Sequence, residues 1–343
     1  MSLKLTGAQV ELSKALISQA HHIVVTSHKN PDGDAAGSAF ALSLFLRKLG
    51  KKTTTILPDG LPEFLQWLPG YEELMQFDTS TEDAIQSIQS ADLIFVLDYN
   101  VLSRVGADMQ QALSNATAPF ILIDHHQSPG DFAKVTYSDT SSCSTAELVY
   151  RFIDQCFGKD QIDIPVAENL YCGIMTDSGS FRFPSVTQET HEIAGYLIAM
   201  GMDHAMVHRQ VYDTNLLDRL KLIGYALSEK LVVIEECNTA YITLTADELR
   251  RFNHRQGDTE SLVNQALSIK GVKLSAFFRE GNNEIKISFR SKGEFDVNQF
   301  AREHWNGGGH RNAAGASTQL NMDEAVQKLR TLVSDHCHQI SNS

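Results

Sequence analysis

The sequence lacks several features that mark specialised protein classes. No apolar stretch approaches the roughly 20 residues that a membrane-spanning helix requires, and the first residues lack the apolar core of a secretory signal peptide. There is no low-complexity tract and no internal repeat. With 42% hydrophobic and 21% charged residues, the composition is typical of a globular protein. We therefore expect a cytoplasmic protein that folds without a membrane.

Cysteine is also scarce. The chain has five cysteines, which are Cys143, Cys156, Cys172, Cys237 and Cys337. Their number is odd and no two of them form a CxxC pair, which argues against both a disulfide framework and a zinc thiolate site. We expect these cysteines to be reduced and mostly buried.

Positively charged residues are outnumbered: the chain has 29 Lys and Arg but 42 Asp and Glu, which gives a net charge of -13. Proteins that bind long nucleic acids usually do so through many phosphate contacts from a basic surface. Long duplex nucleic acid is therefore not an expected partner. Small anions of mononucleotide size need only a local basic pocket, and bound divalent metals would reverse the sign of the field around them.

The N-terminal half alternates helix-like and strand-like segments, which predicts an α/β fold with a doubly wound, mainly parallel sheet. Two of the strands are continuous apolar runs, as expected of strands covered by helices on both faces. Pro165 fits the first turn of a later helix. The predicted helices span 10–17, 35–49 and 165–177, and the predicted strands span 23–27, 52–57, 93–97 and 120–123.

The C-terminal part has a different texture, with paired strand patterns that predict a smaller α/β domain with a mixed sheet. A turn at 281–283 joins two of these strands. The predicted strands span 231–234, 240–244, 272–279, 284–290 and 314–317, and the predicted helices span 297–304 and 323 onwards. The resulting domains are 1–186, a helical connector at 187–230, and 231–343.

Three of the predicted strands lead directly into histidine or aspartate. His28 follows the strand at 23–27, Asp98 follows the strand at 93–97, and Asp124-His125-His126 follows the strand at 120–123. Open α/β sheets bind their ligands at this carboxyl edge. The sequence therefore predicts a site there.

The loop after the first strand combines His28, Asp32 and Asp34 within one turn. Hard divalent cations prefer carboxylate oxygens, and the added imidazole favours Mn²⁺ or another transition metal over Mg²⁺. The helix that follows also offers its N-terminus to a phosphate. Alternatively, Asp32 and Asp34 merely cap that helix. For this loop alone the two interpretations are evenly balanced.

The other acidic residues are ambiguous one by one. Asp98 alone is typical of a turn, Asp124 of a strand-end cap, and Asp177 of a polar turn that ends a helix. His125 and His126 could each be a surface or a satisfied core histidine. Their occurrence as a pair after a buried strand favours a metal or phosphate role.

The C-terminal domain offers a glycine run, Gly307-Gly308-Gly309, that leads into His310. Glycines allow close approach of the backbone to a ligand, and the following amides can form an anion nest. A flexible surface loop is the alternative. Arg290 and Lys292, at the end of a predicted strand, could bind a terminal phosphate or could be a solvated strand end.

Together these residues resemble the DHH phosphoesterases, which are named for the triplet Asp124-His125-His126. The similarity spans nearly the whole chain and is greatest to the bacterial oligoribonuclease/pAp phosphatases that carry a DHH-associated C-terminal domain. The motifs are His28-x-x-x-Asp32-x-Asp34, Asp98, the triplet, Asp177 in Thr-Asp-Ser-Gly, Phe289-Arg290-Ser291-Lys292, and Gly307-Gly308-Gly309-His310.

The resemblance implies a site with two Mn²⁺ ions, with Mg²⁺ or Co²⁺ as substitutes. Asp98 would bridge the two ions, His126 would lie beside the reacting phosphate, and Asp124 would orient the triplet. The remaining implied ligands are His28 and Asp32 for one ion and Asp34, His125 and Asp177 for the other. The implied substrate contacts across an interdomain cleft are Arg290, Ser291, Gly307, Gly308, Gly309 and His310.

By the same resemblance, the chain would hydrolyse short oligoribonucleotides to mononucleotides in RNA degradation and would dephosphorylate 3′-phosphoadenosine 5′-phosphate (pAp). The expected partners are these small nucleotides and a second copy of the chain in a homodimer. Three alternatives stay open: a cyclic-dinucleotide or linear dinucleotide phosphodiesterase, a manganese pyrophosphatase or exopolyphosphatase, and a non-catalytic nucleotide-binding regulator. The glycine run argues against the pyrophosphatase, because pyrophosphatases of this superfamily close their site with a strongly basic motif.

Overall fold

The structure, a computed structural model, describes residues 3–260, 262–281 and 284–343. The chain divides into two units, Met1–Thr214 and Asn215–Ser343. This border falls inside segment 187–230, the predicted helical connector. Among the described residues, no helix is both long and apolar enough to cross a bilayer.

The first unit is a parallel sheet flanked by helices. The strands are β1 His22–Thr26, β2 Lys52–Leu57, β3 Met75–Gln76, β4 Leu93–Leu97, β5 Phe120–Asp124 and β6 Val135–Ser138. The helices are α1 Gly7–Gln19, α2 Gly33–Lys48, α3 Thr81–Gln89, α4 Ala107–Ser114, α5 Thr145–Phe157, α6 Ile164–Asp177, α7 Gln188–Ala199 and α8 His204–Tyr212.

All six strands are parallel, in the order β3-β2-β1-β4-β5-β6. The order reverses between β1 and β4, which opens a crevice at their carboxyl ends. Val25 and Phe95 pack on the face covered by α2, α5 and α6, whereas Val24 and Val96 pack on the face covered by α3 and α4. Burial on both faces explains the continuous apolar runs, and the predicted doubly wound sheet is confirmed.

Two glycines allow α2 and α6 to pack closely. A Cβ atom on Gly37 would lie 2.5 Å from the backbone oxygen of Asn169. A Cβ atom on Gly173 would lie 2.9 Å from Oδ1 of Asp34 and 2.6 Å from the side chain of Ala146. These distances are shorter than carbon contacts allow, so the close approach of α2, α5 and α6 depends on glycine at both positions.

The second unit is built on a mixed sheet, as predicted. The strands are β7 Leu231–Ile234, β8 Thr239–Leu244, β9 Leu274–Glu280, β10 Ile285–Ser291, β11 Asn306–His310 and β12 Ala313–Thr318. The helices are α9 Leu217–Tyr225, α10 Ala246–Arg251, α11 Leu262–Leu267, α12 Val297–His304, α13 Met322–Asp335 and α14 Cys337–Ser341. In the order β11-β12-β10-β9-β8-β7, β8 and β9 are parallel and the other neighbours are antiparallel.

This sheet is also covered on both faces. Phe278 and Phe289 pack with α12 and α13 on one face, and Ile242 and Phe277 pack with α10 and α11 on the other. Of the predicted turn at 281–283, Asn282 and Asn283 lie outside the described residues.

The glycine run forms edge strand β11 instead of a loop. It pairs with β12, in register from Asn306 opposite Ser317 to His310 opposite Ala313. The backbones of the two strands are so close that a Cβ atom on Gly307 would lie 2.4 Å from the oxygen of Gly315. The sequence suggested that the backbone at these glycines approaches a ligand closely. In the structure, the backbone that approaches them is that of strand β12.

The prediction that all five cysteines are reduced is wrong for two of them. Cys237 and Cys337 form a disulfide, with their Cα atoms 4.8 Å apart. The remaining three, Cys143, Cys156 and Cys172, are free and buried. The pairing is not visible in the spacing because 100 residues separate the two cysteines. Folding of the second unit brings α14 against the turn that follows β7.

We predict that this disulfide stabilises the second unit by about 2 to 4 kcal/mol, because it closes a long loop and restricts the unfolded chain. Thermal unfolding with and without reductant should show the loss, and the Cys237→Ser/Cys337→Ser variant should be insensitive to reductant. Thiol titration of the denatured, unreduced protein should find the three free cysteines. A result of five thiols would contradict the disulfide.

Candidate metal centre

The predicted site residues of the first unit gather at one edge of the sheet. Asp98 directly follows β4, Asp124 is the last residue of β5, and His28 lies two residues beyond β1. Since β1, β4 and β5 are adjacent and parallel, their carboxyl ends meet. The N-terminus of α2 adds Asp32 and Asp34, and the C-terminus of α6 adds Asp177.

Asp98 lies at the centre of this cluster and is almost fully buried, with 2% of its surface exposed. Its Oδ2 atom is 3.2 Å from Nε2 of His28, and its Oδ1 atom is 3.5 Å from Nε2 of His125. The backbone is left-handed at φ 63°, which is uncommon for residues other than glycine and is found mostly where the surroundings enforce it.

One group of ligand atoms comes from His28, Asp32 and Asp98, which lie within 4.8 Å of one another. Nδ1 of His28 is 3.0 Å from the carbonyl oxygen of Lys29. When Nδ1 donates to that oxygen, Nε2 is left to act as a metal ligand. Oδ1 of Asp32 accepts the amides of Asp34 and Ala35. Asp32 therefore caps α2 and belongs to the cluster as well, so the two interpretations of this loop do not exclude each other.

A second group comes from Asp34, His125 and Asp177, again within 4.8 Å. Nε2 of His125 is 3.4 Å from Oδ2 of Asp177 and 3.9 Å from Oδ2 of Asp34. Nδ1 of His125 is 3.2 Å from the carbonyl oxygen of Ser142. This is the backbone contact that commonly orients a metal-binding imidazole.

The third group is Asp98, Asp124 and His126. Nδ1 of His126 donates to Oδ1 of Asp124 over 2.7 Å and lies 3.7 Å from Oδ1 of Asp98. The carboxylate of Asp124 is fully buried, and its Oδ2 atom has no hydrogen-bond partner among the described residues. The geometry therefore fixes the ring of His126 through Asp124.

The electrostatics of the cluster are dominated by crowded carboxylates. Burial, together with the charges of Asp98 and Asp177, raises the pKa of Asp34 well above its ordinary value. Desolvation likewise raises the pKa of Asp177 to about 6, although His125 opposes it. Burial alone would lower the pKa of His28, but its hydrogen bond and attraction to Asp98 raise it to about 9.

The same His28 contact keeps the pKa of Asp98 below its ordinary value despite burial. Gathering several buried carboxylates in this way is unfavourable unless cations compensate their charge. The donors are carboxylate oxygens and imidazole nitrogens, a set that suits a divalent transition metal. The cluster can therefore hold metal ions.

The predicted substrate-binding residues lie in the second unit. Arg290 and Ser291 end β10, and Gly307 to His310 lie in β11. The hydroxyl of Ser291 donates to the carbonyl oxygen of Phe295 over 2.7 Å and accepts from Asn312. Nζ of Lys292 donates to backbone carbonyl oxygens within the unit. Ser291 and Lys292 thus have defined contacts inside the second unit.

The sequence did not single out the segment 142–146, which contacts His125, Asp34 and Asp98 of the cluster. Besides the Ser142 carbonyl that holds His125, the amides of Thr145 and Ala146 donate to Asp34 over 2.6 and 2.8 Å. A signal was present. Ser144 lies three residues before Glu147 ahead of an apolar run, a pattern that marks a helix start, and Ser144 does cap α5.

Comparison with known proteins assigns both parts of the chain. Residues 22–174 match the DHH family, N-terminal domain, and residues 238–335 match the DHHA1 domain. The chain is 31% identical over 326 residues to the bifunctional oligoribonuclease and PAP phosphatase NrnA of Bacillus subtilis (strain 168), covering 93% of this chain and 97% of that protein.

Two further proteins show the range of similar chains. The cyclic-di-AMP phosphodiesterase GdpP of Bacillus subtilis (strain 168) is 27% identical over 94% of this chain, which spans only 49% of GdpP. The crystal structure of an exopolyphosphatase-related protein from Bacteroides fragilis is 38% identical, with a TM-score of 0.92 over 98% of this chain and 99% of that one. The resemblance inferred from the motifs is thus confirmed, and the chain belongs to the DHH phosphoesterase family, with an N-terminal DHH domain followed by a DHHA1 domain.

Proposed function

We propose that this protein is a metal-dependent phosphoesterase that hydrolyses short oligoribonucleotides to mononucleotides and removes the 3′-phosphate of pAp. The observation that carries the proposal is the pair of adjacent ligand groups at the crevice of the parallel sheet, with Asp98 in the first group and 3.5 Å from His125 of the second. The similarity to NrnA over almost the full length of both chains supports this substrate class.

In this proposal, His28 and Asp32 would hold one ion, Asp34, His125 and Asp177 would hold the other, and Asp98 would contribute to both positions. Mn²⁺ suits this mixture of carboxylates and imidazoles, and Mg²⁺ or Co²⁺ could substitute for it. Such ions activate a water molecule for attack on phosphorus and neutralise charge on the phosphoryl oxygens.

The side chains of the protein have distinct tasks in this reaction. His126, oriented by Asp124, would contact the reacting phosphate. In the second unit, the guanidinium of Arg290 would bind a substrate phosphate, since arginine pairs well with phosphate oxygens. Ser291, the glycines of β11 and His310 would complete the substrate contacts.

A second candidate is hydrolysis of a cyclic dinucleotide or of its linear product, which the similarity to GdpP favours. The similarity to an exopolyphosphatase-related protein makes polyphosphate a further candidate substrate. All these reactions need the same metal centre, so only a comparison of substrates separates them.

We predict that purified protein with Mn²⁺ releases mononucleotides from RNAs of two to five residues and phosphate from pAp. Turnover of cyclic dinucleotides, pyrophosphate and polyphosphate is expected to be slower. Chromatography and phosphate assays check the products, and chelator should abolish them. Preferential turnover of a cyclic dinucleotide or pyrophosphate would reverse this ranking of substrates. If none of the substrates is turned over, the proposed enzymatic activity is wrong.

The variant Asp98→Asn should lose activity because an amide cannot replace a carboxylate that lies in one ligand group and next to His125 of the other. We expect kcat/KM to fall by more than about 100-fold, beyond the loss typical of an outer ligand partner. Circular dichroism should show the fold retained. The matched control is Asp108→Asn, a change at an exposed residue of α4, and it should keep full activity. An active Asp98→Asn variant would rule out a bridging role.

Metal affinity should depend on pH, since bound protons compete with metal. Asp177, with its pKa of about 6, and His28, with its pKa of about 9, must both lose protons. Apparent Mn²⁺ affinity should therefore rise from pH 5.5 to 9, with proton release measurable by calorimetry in buffers of different ionisation enthalpy. An affinity that is flat over this range would contradict the ligand assignment.

The metal-free protein should show the opposite trend in stability. His28 stabilises the fold below its ordinary pKa of 6.5, and this contribution disappears as the pH rises through about 9. Asp177, whose pKa is raised from 3.8 to about 6, loses its stabilising proton as the pH rises through about 6, so its effect is complete there and the change at higher pH comes from His28. Chelated protein should therefore unfold at lower temperatures as the pH rises from 6 to 9, and Mn²⁺ should restore the unfolding temperature.

A further inference from the structure

The first residue of α5, Thr145, contacts carboxylates from both ligand groups. Its hydroxyl donates to Oδ1 of Asp98 over 2.9 Å, and its amide donates to Oδ2 of Asp34 over 2.6 Å. The side chain is completely buried. A buried hydroxyl normally finds a hydrogen-bond partner, and here the partner is the carboxylate at the centre of the cluster.

The two oxygens of Asp98 face different neighbours. Oδ2 lies 3.2 Å from Nε2 of His28, whereas Oδ1 lies 3.5 Å from Nε2 of His125 and accepts from Thr145. A carboxylate that only one neighbour held could rotate about its Cβ–Cγ bond. The hydroxyl of Thr145 opposes that rotation because its hydrogen bond is directed at one oxygen.

We infer that the Thr145 hydroxyl is a positioning group that holds the Asp98 carboxylate with one oxygen toward each metal position. The inference rests on the proposed function, because it takes Asp98 to bind both ions. Thr145 does not contact the reacting atoms. It acts through Asp98, and it leaves lone pairs on both oxygens for metal.

The segment that carries Thr145 is itself held firmly. Glu147, fully buried in the first turn of α5, accepts hydrogen bonds from the side chains of Arg151 and Ser142. Arg151 also lies 3.6 Å from Asp139. A buried network of this kind restricts the backbone around Thr145. The hydroxyl is therefore fixed relative to Asp98 before any metal binds.

The test compares Thr145→Val, which keeps the shape but removes the hydroxyl, with Thr145→Ser, which keeps the hydroxyl. The control is Thr239→Val in β8, where an equally buried hydroxyl donates over 2.9 Å to the carbonyl oxygen of Cys237. Calorimetry measures the Mn²⁺ affinity of the metal-free proteins. Assays with pAp or a short RNA give kcat and KM, and circular dichroism checks folding.

We expect Thr145→Val to bind Mn²⁺ about 10-fold or more weakly, in the range known for outer partners of metal ligands. Its kcat should fall by a similar factor. KM for the nucleotide should change by less than about 2-fold, because the lost hydroxyl does not bind the nucleotide. Thr145→Ser should restore both values. Thr239→Val should lose stability and keep wild-type metal affinity.

Wild-type Mn²⁺ affinity in a folded Thr145→Val variant would overturn the inference, as would an equal loss in Thr239→Val. If Thr145→Val does not fold, Thr145→Ala replaces it in the same comparison. A wild-type protein that binds Mn²⁺ but hydrolyses nothing would refute the proposed function alone. In that case the affinities of the Thr145 variants still decide whether the hydroxyl positions Asp98.

Discussion

The constraint on which this structure depends is the crowding of buried and half-buried carboxylates at one edge of a parallel sheet. Asp34, Asp98 and Asp177 lie around the imidazole of His125, and each repels the others. Burial raises the pKa of Asp34 most, and the charges of Asp98 and Asp177 raise it further. Such a cluster is stable at neutral pH only if cations, protons or oriented amides balance the charge. The loops around the sheet edge supply the amides and hold the carboxylates in place for cations.

The packing of the helices serves this purpose. Gly37 and Gly173 allow α2 and α6 to approach closely, and α2 and α6 carry Asp34 and Asp177. The N-terminus of α5 lies against the same region, where its first amides hold both oxygens of Asp34 and its dipole favours a negative charge. Substituting either glycine would separate the helices and with them the carboxylates. The geometry of the site therefore depends on the packing of the core.

The sequence predicts what local patterns determine and misses what tertiary contacts determine. Apolar strands followed by His28, Asp98 and Asp124 predicted the sheet and the edge at which the site lies. Helix α5 was missed although Ser144 and Glu147 mark its start locally, whereas the role of Thr145 is visible only once the carboxylate of Asp98, 47 residues away, is placed beside it. The Cys237–Cys337 disulfide was missed for the same reason. Asp32 was ambiguous in the sequence because capping and membership of the ligand cluster are compatible in the structure.

Relatives named for oligoribonucleotides, PAP and cyclic-di-AMP are similar over more than nine-tenths of this chain, so the proposed metal centre alone does not distinguish their substrates. In the second unit, the contacts of Ser291 and Lys292 with Phe295, Asn312 and the backbone shape the end of β10. Arg290 precedes them on the same strand and is partly exposed. In the proposed function, a guanidinium at this strand end would pair with a substrate phosphate, because its planar set of N–H donors matches phosphate oxygens.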